Sequence, residues 1–240
     1  NYQMNKFLTL ILFTISSFVH SQGITSIYSF DVDNQNDIPT IIQAMTEHFE
    51  TDFAKAGVAS VEIVEEHFNG KESSNVSFVY NFKDIQEMQD EYARVLGSEE
   101  IEKVHNVVLP LVKEDSQMLL RNIVGGQGIG KTSVSMVFVM NVNNPSVYLK
   151  EYSKLINTME ENGKSDLFTE YGLSEIFAGG QEDPKATHHA VIGAVDMVSL
   201  VNGLDELFGS SEFADFNSNV NGSRTVLSRK IVFSLATFNN

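Results

Sequence analysis

The hexapeptide LLRNIV at residues 119–124 returns as LSRKIV at residues 227–232, with four of its six positions identical. A second pair, VLGSEE at residues 95–100 and LFGSSE at residues 207–212, follows in the same order and at nearly the same separation. Matches that recur in one order at a nearly constant offset indicate an internal duplication of the chain.

Each half of the sequence predicts the order strand, helix, strand, strand, helix, strand. Strand segments show apolar residues that alternate with polar ones, and helical segments carry one apolar stripe. In each half a glycine–serine pair interrupts the second helix, Gly97–Ser98 in the first half and Gly209–Ser210 in the second. The two halves therefore agree in their predicted element order as well as in two short motifs, which indicates that the duplication covers the whole chain.

This element order is that of the ferredoxin-like unit, in which two helices cover one face of a four-stranded antiparallel sheet. The uncovered face needs a partner, and a second copy of the unit supplies one. The chain therefore resembles the dimeric α/β-barrel superfamily, which includes antibiotic-biosynthesis-type monooxygenases, fused into a single-chain pseudo-dimer. The predicted fold class is α+β, with two tandem ferredoxin-like repeats whose antiparallel sheets pack face to face as a pseudo-dimeric α/β barrel.

The predicted organisation has four parts. Residues 1–21 are a signal peptide with an upstream read-through segment, and residues 22–124 are the first repeat. Residues 125–131 form a glycine-rich linker, and residues 132–240 form the second repeat.

The signal peptide is predicted from a positive charge after Met4 and the apolar run at residues 7–19. Val19 and Ser21 fit a cleavage site before Gln22. The apolar run is shorter than the roughly 20 residues of a membrane-spanning helix. We therefore expect a secreted or periplasmic protein with no membrane anchor after cleavage.

Composition excludes several classes of partner. The formal net charge is −16, which disfavours binding to nucleic acid and to anionic membrane surfaces. The chain contains no cysteine, so its fold depends on its core rather than on disulfides. The sequence contains no calcium-binding loop motif and no zinc-binding motif, and we expect no metal and no cofactor.

The string GGQGIGKT at residues 125–132 fits the nucleotide-binding P-loop pattern. A P-loop must lead directly into a helix, whose N-terminal amides hold the phosphates. The residues that follow here, TSVSMVFVMNV, alternate as a strand does. We therefore predict a flexible connection between the two halves and no nucleotide binding.

His188 and His189 are adjacent on a predicted strand, so their side chains point to opposite faces and cannot share a metal ion. His188 starts the third strand of the second repeat, where the first repeat has Val76. The stretch from the preceding Gly-Gly turn to His188 is similar to one in exported members of the superfamily. This difference between the halves is what a single asymmetric pocket would produce, and it is also what neutral drift produces, which is the simpler explanation.

Arg121 and Arg229 hold equivalent places in the two hexapeptides. The last strand of a ferredoxin-like unit pairs with its first, so Asp31 is the predicted cross-strand partner of Arg121. These arginines are either structural ion-pair residues or a clamp for an anion or carbonyl between the sheets. The candidate ligand-binding residues are therefore His188, Arg229, Arg121 and Asp31, with a site expected in the second repeat near His188 and Arg229.

Catalytic motifs are scarce. There is no nucleophile elbow, while Glu62, Glu66 and His67 on predicted strands leave general acid–base catalysis open. Haem-degrading members of the superfamily use an Asn, a Trp and a His, and this chain has no Trp. The primary expectation is an exported small-molecule-binding or interaction module, monomeric as a pseudo-dimer. The alternative is a cofactor-independent monooxygenase-like enzyme that acts on a small aromatic or carbonyl compound.

Overall fold

A computed structural model of the chain describes residues 23–70, 72–126, 131–180 and 183–238. The predicted signal peptide and its cleavage site lie outside these residues. The strands are β1 Ile24–Asp31, β2 Ser60–His67, β3 Val76–Phe82, β4 Lys113–Gly126, β5 Val134–Val142, β6 Glu170–Gly179, β7 His188–Ala194 and β8 Arg224–Phe238. The α-helices are α1 Ile38–Phe49, α2 Asp52–Lys55, α3 Ile85–Val95, α4 Glu99–Val108, α5 Pro145–Glu161, α6 Met197–Phe208 and α7 Ser211–Asn219.

The eight strands form one closed antiparallel barrel in the order β1-β3-β2-β8-β5-β7-β6-β4. The first half supplies the neighbours β4-β1-β3-β2, and the second half supplies β8-β5-β7-β6. Two seams, β2 with β8 and β4 with β6, join the halves. The predicted antiparallel α/β barrel is confirmed, with one difference. The sheets are hydrogen-bonded edge to edge and not merely stacked, because closure pairs strand edges that would otherwise be exposed.

The helices begin where the sequence places suitable caps. Ser98 begins α4 and accepts a hydrogen bond from the amide of Ile101, and Ser210 begins α7 and accepts one from Phe213. Such caps satisfy amides that a helix start leaves unpaired, and each contributes about 1 kcal/mol. In the described part of the chain, no helix is long and apolar enough to cross a membrane.

Two apolar cores fill the space between the outer face of the barrel and the helices. The first half packs Ile41 of α1 against Ile63 and Val76 of the sheet. The second half packs Leu200 of α6 with Met140 and other sheet residues. Full burial of each such side chain contributes about 1.5–3 kcal/mol. Because these cores cover most of the outer face of the barrel, a ligand site can lie only in the barrel interior or in the spaces beside the cores.

The glycine-rich segment is partly a strand. Gly125 and Gly126 belong to β4 and pair with Gly172 and Tyr171 of β6, and residues 127–130 lie outside the described part. Gly125 has φ +110, and a Cβ there would lie 2.1 Å from the carbonyl oxygen of Tyr171, so only glycine fits. The next element is β5, as the alternating pattern predicted. Gly125 and Gly126 of the motif therefore belong to the seam between β4 and β6.

Candidate functional site

The predicted Asp31–Arg121 pair does not form, so that prediction was wrong. Asp31 lies opposite Lys113, whereas Arg121 lies opposite Ile24 at the other end of β1. Arg121 instead donates a hydrogen bond of 3.2 Å to Glu175 of β6. The Arg121–Glu175 pair could not be predicted from one repeat alone. Glu175 lies on β6, and β6 pairs with β4 only because the barrel closes.

His188 and Arg229 both lie on the outer face of the second half, on strands that β5 separates. His188 is buried, and its Nδ1 lies 2.9 Å from the hydroxyl of Thr187. Burial lowers the pKa of His188, while the charge of Glu175 acts in the opposite direction. Arg229 is exposed, and its guanidinium lies 5.4 Å from the ring centre of Phe138. A ligand-binding role for these residues stays a prediction.

A cavity of about 320 Å³ lies between the outer sheet face of the second half and its helices; we call it the second-half cavity. Arg229 lines this cavity and His188 does not. Its walls are largely aromatic, with contributions from Phe138, Tyr148, Tyr152, Phe213 and Phe216. The cavity therefore offers flat apolar surfaces and one of the predicted ligand residues.

Arg224 at the start of β8 brings a second cation to the second-half cavity. Its guanidinium lies 5.4 Å from the ring centre of Phe216 and 5.7 Å from that of Tyr148. One terminal nitrogen donates to the side chain of Asn217 at 2.8 Å, but the buried Nε has no hydrogen-bond partner among the described residues. A buried donor without a partner costs about 1–3 kcal/mol.

The two arginines of the second-half cavity also have no ion-pair partner among the described residues. Glu160 lines the same cavity, but its carboxylate accepts a hydrogen bond from the hydroxyl of Tyr171. Neither Arg224 nor Arg229 forms an ion pair with a carboxylate in the part of the chain that the structure describes. Burial raises the pKa of Tyr148 to about 12, although the charge of Arg224 acts in the opposite direction. The phenol is therefore a neutral hydrogen-bonding group at neutral pH.

The first half has a matching cavity of about 390 Å³, the first-half cavity, with a different electrostatic character. Its arginine, Arg94, is neutralised by Glu91 at 2.5 Å. Two histidines, His48 and His105, line it as well. Burial lowers the pKa of His48, with smaller opposing and supporting effects from neighbouring charges. The first-half cavity therefore contains acid–base groups but no free guanidinium.

A third cavity, of about 180 Å³, occupies the barrel interior. Side chains at alternate strand positions line it, and five of them are ionisable: Glu62, Glu66, Glu170, His189 and Lys230. His189 faces this interior while His188 does not, as the alternation of a strand predicted. In the described part of the chain, no group of three or more histidine and acidic side chains is arranged to hold a metal ion.

Lys230 of β8 is held by two carboxylates inside the barrel. Its Nζ lies 2.8 Å from Glu66 Oε2 and 3.0 Å from Glu72 Oε2. The hydroxyl of Ser77 donates to the other oxygen of Glu66. Burial works to lower the pKa of Lys230, but the two carboxylates outweigh it and the pKa is raised. Lys230 therefore stays charged, and its ammonium group is paired with Glu66 and Glu72.

Glu62 and Glu170 form a second acidic group in the same interior. Burial raises the pKa of Glu170 to about 7, the hydroxyl of Ser135 at 3.0 Å opposes this, and the charge of Glu62 adds to it. Burial also raises the pKa of Glu62, against a hydrogen bond with Ser234. No described cationic side chain forms an ion pair with either glutamate.

His189 is buried in the barrel and its Nε2 has no hydrogen-bond partner among the described residues. Burial, followed by the charges of Lys230 and His188, lowers the pKa of His189 to about 3, so the imidazole is neutral. Sequence reasoning named Glu62 and Glu66 without assigning them a role, and it missed Glu170, Lys230 and Arg224. The sequence did contain a signal for these interior residues: polar side chains recur at every second position of several strands. In this barrel those positions face the interior.

No protein-family model matches the chain, and no curated protein matches it. Solved structures do resemble it. A proposed monooxygenase of Lactobacillus acidophilus NCFM superposes with a TM-score of 0.63 at 10% identity, over 91% of this chain and 95% of its own. A proposed monooxygenase of Fusobacterium nucleatum subsp. nucleatum ATCC 25586 gives 0.58 at 11% identity, over 92% and 96%. An anthrone oxidase-like protein gives 0.55 at 10% identity, over 90% and 92%.

These neighbours define the class of fold. The chain shares with them a closed antiparallel barrel covered by helices, which agrees with the fold expected from the sequence. At such low identity the likeness extends to the fold alone. A function has to be argued from the cavities and their side chains.

Proposed function

We propose that the protein binds a small, planar, anionic organic molecule in the second-half cavity. The observation that carries this proposal is the pair Arg224 and Arg229, which line an aromatic cavity without a carboxylate partner among the described residues. A carboxylate or phenolate would pair with the guanidinium groups and would satisfy the buried Nε of Arg224. The cavity volume of about 320 Å³ is at the lower end of ligand pockets.

The aromatic wall favours a planar ligand. Tyr148, Phe216 and Phe138 already have a guanidinium over their rings, so a flat anion would be held between aromatic faces and cations. Ring contacts of this kind add about 0.5–1.5 kcal/mol beyond the burial of area. Among the described residues, the hydroxyl of Tyr148 donates only to the sulfur of Met140 at 3.4 Å, a weak acceptor, so it is available to a ligand oxygen.

Binding is favoured over catalysis at this cavity. No histidine lines it among the described residues, and the neutral phenol of Tyr148 is a poor base. An oxygenase reaction on a small aromatic or carbonyl compound is the second candidate. The names of the structural neighbours support it, and so does the first-half cavity, where burial keeps the imidazole of His48 neutral and able to accept a proton.

The binding proposal predicts a charge-selective ligand. We expect 2-naphthoate and anthraquinone-2-carboxylate to raise the melting temperature of the protein and the neutral amides of the same acids to do so much less. Replacing Arg224 with alanine should weaken carboxylate binding at least tenfold, because a charge-assisted hydrogen bond contributes about 1.5–3 kcal/mol. Thermal shift followed by calorimetric titration measures both effects.

Arg94→Ala is the matched control, because it removes an arginine that lines the first-half cavity and is already paired. It should leave carboxylate affinity unchanged. Equal shifts by acids and amides, or full affinity in the Arg224→Ala variant, would contradict the proposal. Oxygen consumption with anthrone as the probe, lost in His48→Ala and kept in Arg224→Ala, would support the oxygenase candidate instead.

We further infer that the two halves descend from one duplicated unit. Apart from the short helix α2, they share an element order. They also share a strand order, the repeated hexapeptides, and serine caps at equivalent helix starts, Ser98 and Ser210. Each half alone would leave two sheet edges unpaired, and joining two copies pairs all four. A superposition in which α1, α3 and α4 fail to align with α5, α6 and α7 would contradict this inference.

Export of the protein is also proposed, on the apolar run at residues 7–19 and the small residues that follow it. The absence of cysteine is compatible with an oxidising compartment. N-terminal sequencing of the protein from its native host should give a chain that starts at Gln22. A soluble cytoplasmic form that retains residues 7–19 would overturn the proposal.

A further inference from the structure

The barrel interior carries an excess of negative charge. Five ionisable side chains face it: Glu62, Glu66, Glu170, His189 and Lys230. The charge of Lys230 is already shared between Glu66 and Glu72, and the imidazole of His189 is neutral. Glu62 and Glu170 thus line the barrel interior with no cation of their own among the described residues. Buried carboxylates in that situation either keep a proton or take up a cation.

A second observation marks the same interior as a site. His189 is 7% exposed, lines the cavity, and has an Nε2 without a hydrogen-bond partner in the described part of the chain. Buried polar atoms in folded proteins are nearly always hydrogen-bonded, so an unpartnered ring nitrogen facing a cavity indicates a missing partner. That partner lies among the contents of the cavity.

We propose that the barrel interior binds a small organic ammonium ion, with its charged end between Glu62 and Glu170 and a second polar group at Nε2 of His189. Ser135 and Ser234 hold the two carboxylates on the inner face, which orients them toward the space. An ammonium group has three donors, enough to serve two carboxylates and leave one for a hydroxyl or water.

Size decides between an organic ion and a metal ion. The interior holds about 180 Å³, which exceeds the roughly 150 Å³ of a protein cavity that takes up benzene. A lone magnesium or calcium ion would leave most of that space to water, and these ions need six or more oxygen ligands. The described residues supply two free carboxylates and no third acidic or histidine ligand arranged for a metal.

This site is separate from the second-half cavity. Arg229 and Lys230 are consecutive on β8, and their side chains lie on opposite sides of the barrel wall. Arg229 therefore belongs to the second-half cavity, and Lys230 belongs to the acidic barrel interior. The two sites have opposite charge preferences, so failure of one proposal leaves the other standing.

Calorimetric titration with 1,4-diaminobutane and ethanolamine tests the proposal on the whole protein at pH 8. The neutral diols 1,4-butanediol and ethylene glycol are matched probes without the charge. We expect heat and saturation with the amines and none with the diols. Glu62→Gln and Glu170→Gln should each weaken amine binding at least tenfold, and Glu206→Gln on the exposed face of α6 should leave it unchanged.

A proton readout keeps the test decisive if the glutamine variants fail to fold. Amine binding to the wild type should release protons at pH 7, because the raised pKa of Glu170 leaves its carboxyl partly protonated there, and should release far fewer at pH 8. Titrations in two buffers of different ionisation heat measure this release. Equal responses to amines and diols, a response to MgCl₂ or CaCl₂ but not to amines, no proton release at pH 7, or full affinity in both glutamine variants would each overturn the proposal.

Discussion

Replacing Lys230 with methionine is expected to lower the free energy of unfolding by about 3–5 kcal/mol. Methionine keeps the apolar stem of the side chain and removes its charge. Glu66 and Glu72 then face each other in the barrel without their shared cation, and the side chain of Glu66 is only 2% exposed. A buried charge without its partner is strongly unfavourable because the interior cannot solvate it. Urea unfolding at pH 8 measures the loss.

Two further variants separate this electrostatic cost from lost packing. Adding Glu66→Gln to Lys230→Met should restore part of the stability, because the double variant no longer buries that carboxylate unpaired. Lys103→Met is the surface control: Lys103 and Glu100 also form an ion pair, yet the side chain of Lys103 is 67% exposed. Its unfolding midpoint should barely change. Equal losses in Lys230→Met and Lys103→Met would show that the buried pair has no special role.

The element order of this fold could be predicted because it depends on local signals. The alternating strands, the apolar helix stripes and the glycine–serine breaks are all readable within one half. Each of these signals depends on residues a few positions apart. The barrel followed from one physical argument, that the uncovered face of each sheet needs a partner.

The site could not be predicted, because it depends on which face of each strand turns inward and on contacts across the seams. Glu66 and Lys230 are 164 residues apart, and only the pairing of β2 with β8 brings them together. Alternation divides a strand into two faces, but in this barrel both faces are buried, the apolar one under the helices and the more polar one in the barrel interior. The repeated hexapeptide shows the same difficulty. Its arginine, Arg229, faces outward, whereas the next residue, Lys230, faces the barrel interior.

The stability of the protein is expected to depend on the protonation of Glu170. Its pKa is about 7 in the folded chain against an ordinary value of 4.5, chiefly because of burial. The folded state therefore keeps a proton that the unfolded state releases, and the stabilisation is complete below pH 4.5 and lost as the pH rises through 7. The loss is about 3 kcal/mol. Glu62, whose pKa is also raised, acts in the same direction.

His189 works against this trend in the wild type. Its pKa of about 3 lies below the ordinary 6.5, so its contribution is lost as the pH falls below 6.5 toward 3. The two effects overlap between pH 4.5 and 6.5, and a pH profile of the wild type alone would hide both. The difference between Glu170→Gln and the wild type removes the histidine contribution, because both proteins contain it.

We expect the two proteins to differ little in free energy of unfolding at pH 4, where residue 170 is uncharged in both. At pH 8 Glu170→Gln should be more stable by about 3 kcal/mol. Urea unfolding at half-unit pH steps gives the curve, and the pH at which its slope levels off on the alkaline side reports the folded pKa of Glu170. Glu206→Gln, on an exposed face, should run parallel to the wild type at every pH. A Glu170→Gln curve that also runs parallel would mean that the carboxyl of Glu170 ionises as easily inside the barrel as in the unfolded chain, and the interior would then have no need of a cation.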